Sequence, residues 1–126
     1  AIRTQRDEFF ALIAPRTLQS AAALLSAAEA LHKSDRAEAA LEWIGRWARD
    51  LLLIQANTDP EHLLNLDRLS DLNEAAKQLR PDLLLEVLES LQAIERGANR
   101  NLNLQMALEN ILLRLRDAAS PAASAR

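Results

Sequence analysis

Apolar residues recur along this chain at helical spacing, separated by short polar breaks, and the pattern divides it into five or six amphipathic segments. The first helix is predicted from about Gln5 to Ala14. Thr4 can cap it, Asp7 and Glu8 suit its positive end, Phe9, Phe10, Leu12 and Ile13 form its apolar face, and Pro15 stops it. A second is predicted from Leu18 to Lys33, capped by Thr17. Leu18, Ala21, Leu25 and Ala28 make one stripe there, with Leu24 and Leu31 beside it. The third starts after Ser34 or Asp35, since Asp35 and Glu38 have capping-box spacing. It runs to about Ala56 with a broad face of Ala40, Leu41, Ile44, Trp47, Ala48, Leu51 and Leu52.

Asp59-Pro60 marks a new start, with proline at the first helical position. A short helical turn is expected over Pro60 to Leu64. Leu66, Leu69, Leu72, Ala76 and Leu79 then predict a fourth helix from about Asp67 to Leu79. Arg80-Pro81-Asp82 opens a fifth, which carries the stripe Leu84, Val87, Leu88, Leu91 and Ile94 to about Arg96, and Gly97 breaks it. After a polar turn with Asn99, Asn101 and Asn103, the last helix is predicted over Leu104 to Ala118, capped by Asn101 or Asn103. Residues 119–126 lack an apolar period and are expected to form a disordered tail. No fixed-length repeat suggests a solenoid, so residues 1–118 are expected to form a single bundle.

Composition supports that class. Leu and Ala dominate, Val occurs once, Tyr is absent and there are two glycines in 126 residues. This is helical rather than strand composition, and the fold class is all-α. The length suits one domain with one core. A net charge of −3 offers phosphates no general attraction, so direct nucleic-acid binding is not expected. Without cysteine there are no disulfides, thiol chemistry or thiolate metal sites, which fits a cytoplasmic protein. No apolar run approaches the ~20 residues that span a bilayer, so no membrane partner is expected. The chain opens at Ala1 on what reads as a helix entry, which suggests a domain cut from a longer protein.

Candidate chemistry is sparse. Glu29 and His32 have the Glu-x-x-His spacing of a metal pair, but a di-iron bundle needs two such pairs and more carboxylates. The only other histidine, His62, follows Glu61 directly and does not share a helix face with it. Gly45 and Gly97 cannot make a phosphate loop. Asp82, Glu86 and Glu89 read as the solvated face of the fifth helix. No cofactor, metal or catalytic residue is assigned. Trp43 and Trp47, four apart, form either core or, with Arg46 and Arg49, a partner hot spot. Arg96, Arg114 and Arg116 suit helix C-termini, where the dipole favours cations. Arg100, in the turn, is left without that explanation.

Two segments resemble a known family. Leu41-Glu-Trp-Ile-Gly-Arg-Trp-Ala-Arg-Asp-Leu-Leu-Leu53 is similar to a helix of the C-terminal domain of the bacterial DNA polymerase III delta-prime subunit. Asn101-Leu-Asn-Leu-Gln-Met-Ala-Leu-Glu-Asn-Ile-Leu-Leu-Arg-Leu115 is similar to that domain's last helix, and the Arg-Pro-Asp helix start lies between them. The resemblance implies a helical collar domain of the clamp loader, without catalytic activity of its own. It would be joined to an AAA+ module on its N-terminal side and would bind the collar domains of the delta and gamma/tau subunits. Alternatives are the gamma/tau collar domain, an unrelated helical interaction domain, a small helical enzyme or metalloprotein, or a nucleic-acid module using Arg96, Arg100, Arg114 and Arg116. The runs Leu51–Leu53, Leu83–Leu85 and Ile111–Leu113 hold more apolar residues than one helix face buries. Leu53, Leu83, Leu113 and Arg100 are therefore the expected partner contacts.

Overall fold

A helix that meets apolar neighbours on several sides needs a broad apolar face, and the helix holding both tryptophans has the broadest in the chain. In the computed structural model, which describes residues 2–13, 20–96 and 103–119 with the side chains of residues 2–5 and Leu12 left out, it occupies the centre. The elements are α1 (Ile2–Leu12), α2 (Ala21–Lys33), α3 (Ala37–Gln55), 3-10 turns at Pro60–His62 and Leu66–Arg68, α4 (Leu69–Gln78), α5 (Pro81–Glu95) and α6 (Leu104–Ala118). No strand occurs among the described residues. The six helices form one all-α bundle in which α3 packs against all five others and α6 lies between α2 and α5.

Antiparallel neighbours follow from two hydrogen-bonded ends. The Arg80 N–H donates to the Ala118 carbonyl at 3.1 Å, tying the start of α5 to the end of α6. Gln55, at the end of α3, donates Nε2 to the carbonyls of Ala76 (3.0 Å) and Leu79 (2.8 Å). Those are orphan carbonyls at the end of α4. The end of α3 therefore sits beside the start of α5, and the two helices run in opposite directions.

The predicted α5 and α6 match the observed ones to within one residue. Asn103 is the α6 cap, its side-chain oxygen accepting from Met106 N–H at 3.1 Å. Asn101, the other candidate, lies outside the described residues, as do Thr17, Leu18, Pro15, Gly97 and the tail from Ser120. Other expectations are corrected. α1 already runs through Thr4, which is therefore not its cap. Ser20 caps α2, accepting from Ala23 N–H at 3.2 Å. The α2 stripe is rotated: Leu24 and Ala28 are buried while Leu25 faces solvent, because α6 and α3 approach from one side.

Neither Ser34 nor Asp35 caps α3. Ser34 ends α2, and Asp35 has φ 62°. Asp35 N–H donates to His32 O and Arg36 N–H to Leu31 O at 2.8 Å, the paired bonds of a Schellman motif. α3 ends the same way on Asn57 (φ 59°), whose N–H donates to Ile54 O while Thr58 N–H donates to Leu53 O. The segment from Pro60 forms two 3-10 turns, and the expected fourth helix begins as α only at Leu69.

Candidate interaction surface

The two tryptophans decide how the α3 motif is used. Trp43 and Trp47 are 8% and 5% exposed. Trp43 lies 5.7 Å from Phe9 between ring centroids, and Phe9 lies 6.4 Å from Phe10, a tilted aromatic cluster of the favourable kind. Both tryptophans are core, so the hot-spot alternative falls. Arg6 and Arg68 approach the Phe10 ring at 5.6 and 5.9 Å, within cation–π range.

The motif's last polar residue has a role that its sequence position did not announce. Asp50 is fully buried. It accepts from the N–H groups of Leu64 and Asn65 and from Asn65 Nδ2, each at 2.8 Å. Asn65 in turn accepts from Arg6 Nη1 at 3.1 Å, and Arg6 also bonds Asp67 at 2.6 Å and Asp7 at 3.1 Å. Those two carboxylates hold the Arg6 guanidinium pKa above its ordinary value, the hydrogen bond to Asp67 contributing most. α3, the 3-10 segment and α1 are thus fastened by one polar chain. This is architecture, since its carboxylates and the Asn65 amide are engaged within it, although Arg6 Nε is buried without a hydrogen-bond partner.

The candidate metal pair is also accounted for. Glu29 pairs with Lys33 at 2.7 Å, one turn on, and His32 is exposed. The hydrogen bond from Lys33 lowers the Glu29 carboxyl pKa from its usual range. Among the described residues no group of three or more His, Asp or Glu side chains is arranged to hold a metal, and no helix is long and apolar enough to cross a membrane.

The apolar surface is more informative. Leu53, Leu83 and Leu113 are each half-buried; Leu53 and Leu83 rest against the core. Arg100 lies outside the described residues. In the Leu83–Leu85 run the residue most open to solvent is Leu85, 52% exposed. It lies farther round α5 from the stripe Leu84, Val87 and Leu91 than Leu83 does, a signal that the helical wheel held. Leu64 and Met106 are also exposed apolar side chains that sequence reasoning passed over, and Leu66, expected in the stripe of the fourth helix, is exposed as well. Between α3 and α5 runs an open groove of about 920 Å³, with Leu41, Leu88, Leu91, Ile94 and Leu104 in its lining and Leu64 at its edge.

A family model described as DNA polymerase III, delta subunit, C terminal, matches residues 3–117. The chain belongs to that family. The match takes in both motif segments and, but for Ile2 and Ala118, every described helix. No curated protein and no solved structure matches. As a delta-family C-terminal domain the chain is a clamp-loader domain, and the Trp43–Trp47–Asp50 helix is its architectural centre. The subunit named by the family is delta, where the resemblance names delta-prime.

Proposed function

We propose that this domain is the collar domain of a clamp-loader delta-prime subunit. In this reading residues 1–118 hold the subunit in its ring by packing against the equivalent helical domains of delta and gamma/tau, and an AAA+ module precedes them in the same polypeptide. The observation that carries the reading is where the delta-prime-like residues lie. Leu41 to Leu53 forms the helix that all others pack on, and Leu104 to Leu115 forms the helix wedged between α2 and α5. Both segments leave half-buried leucines, Leu53 and Leu113, on the surface. A ring domain needs such residues, because each member must close its own core and still offer apolar area to a neighbour. Leu53, Leu83, Arg100 and Leu113 are the proposed contacts, the protein is placed in the cytoplasm, and no step of chemistry is assigned to the domain.

Reconstitution tests this. Added to separately purified delta and gamma/tau, the chain should co-elute with them in size-exclusion chromatography and should compete with full-length delta-prime for its place. Competition with delta instead would assign it to delta, and competition with gamma/tau would assign it there. Failure to join any of the subunits would refute the clamp-loader role.

A further inference from the structure

The α3 wall of the groove carries Glu38, Glu42, Arg46 and Arg49, one ridge along the helix with the acids first and the bases last. Because α5 runs back along α3, Glu95 at its end adds a third carboxylate to the acidic end of the groove. Arg49 donates to the His62 carbonyl at 3.3 Å, which puts exposed Leu64 near the basic end. Glu42 and Arg46 have the spacing that favours an intrahelical pair. Yet among the described residues Glu38, Glu42, Arg46 and Glu95 make no ion pair. The groove therefore sets apolar side chains among charged ones and is electrically polarised from end to end.

Gly45 sits in the middle of this ridge. A glycine inside a helix is less favourable than alanine there. The packing of α3 on α5 does not require it, since an added Cβ would meet Leu91 Cδ1 at 3.5 Å, an ordinary contact. The missing side chain leaves room in the groove instead.

We propose that this groove seats one amphipathic helix from the C-terminal domain of a neighbouring clamp-loader subunit. The proposal rests on the clamp-loader reading and gives it a site. The visiting helix lies with leucine-sized side chains on the apolar floor. Its cations face Glu38, Glu42 and Glu95, and its carboxylates face Arg46 and Arg49. A helix fits where an extended peptide does not: both walls are helices, which offer ridges to interdigitate and no free strand edge to pair with. From Glu38 to Arg49 the ridge is about 17 Å long, about three helical turns. The charge order fixes the direction in which the visitor lies, since reversal brings like charges together. A second copy of this chain related by two-fold symmetry through this face would meet the concave groove with another groove.

The test is a binding titration of the purified chain against delta and against gamma/tau at low salt. The double variant Glu42→Arg/Arg46→Glu keeps the net charge and breaks the order of acids and bases along the ridge. It should weaken assembly at least thirty-fold, while Lys77→Glu on α4, outside the groove, changes it less than two-fold. Gly45→Ala should melt at the wild-type temperature or higher and still bind at least five-fold more weakly, which separates loss of space from loss of fold. If the wild type assembles and the groove variants assemble equally well, the groove is not the docking site and the clamp-loader reading stands without it. If the wild type binds neither subunit, that reading fails and takes the proposal with it. A homodimer disrupted by the double variant would overturn the choice of occupant.

Discussion

Asp50 directs both of its carboxylate oxygens at a single loop, and three donors converge on them, the two from Asn65 in the buried interior. Truncation would strand two backbone N–H groups and an amide. Asp50→Ala should therefore destabilise the domain by about 3–5 kcal/mol in urea unfolding. Glu42→Ala, on the exposed side of the same helix, should change it by no more than about 0.5 kcal/mol. Asp35 offers the opposite case. Its φ of 62° is the left-handed region, where a Cβ is strained and glycine is not. Asp35→Gly should hold or raise the melting temperature, and Asp35→Ser should lower it. A residue capping α3 would give the reverse order, because serine caps as well as aspartate and glycine slightly worse.

At the scale of elements, the start of α6 depends on one side chain, and Asn103→Ala should cost about 1 kcal/mol in the same unfolding assay. That cap, the full extent of α6, the Arg80-Pro81 start of α5 and the long apolar face of α3 were legible in the sequence, because period and cap chemistry act locally there. The all-α class was legible for the same reason. What the sequence concealed depends on neighbours. The α2 stripe kept Ala28 but turned from Leu25 to Leu24 because of which helices approach it. Asp35 looked like a cap because capping-box spacing and a Schellman turn share polar residues. Asp50 looked like one more polar residue on a helix, since its partners lie 14 and 15 positions away. The apolar runs announced surplus apolar area, seen at exposed Leu85, but none of their members lines the groove. The groove and its polarity needed α3 and α5 side by side.

For the whole molecule, the half-buried leucines, the open groove and its charge order suit a domain whose own core is closed but whose surface expects company. The stretch between α3 and α4 deserves a different measure, resistance to cutting. It spans Ala56 to Arg68, contains no α-helix and presents Leu64 and Leu66 at 54% and 47% exposure. By composition it is an inviting target for a protease that cleaves ahead of leucine. A protease, however, needs several residues to pull free of the fold into its active site, and Asp50 holds the backbone at Leu64 and Asn65 while Arg6 holds the side chains of Asn65 and Asp67. Thermolysin should leave the native domain intact at this stretch on a timescale that nicks the Asp50→Ala variant there. The position of the first cut, read by mass spectrometry, would show that one buried carboxylate sets the lifetime of an exposed loop.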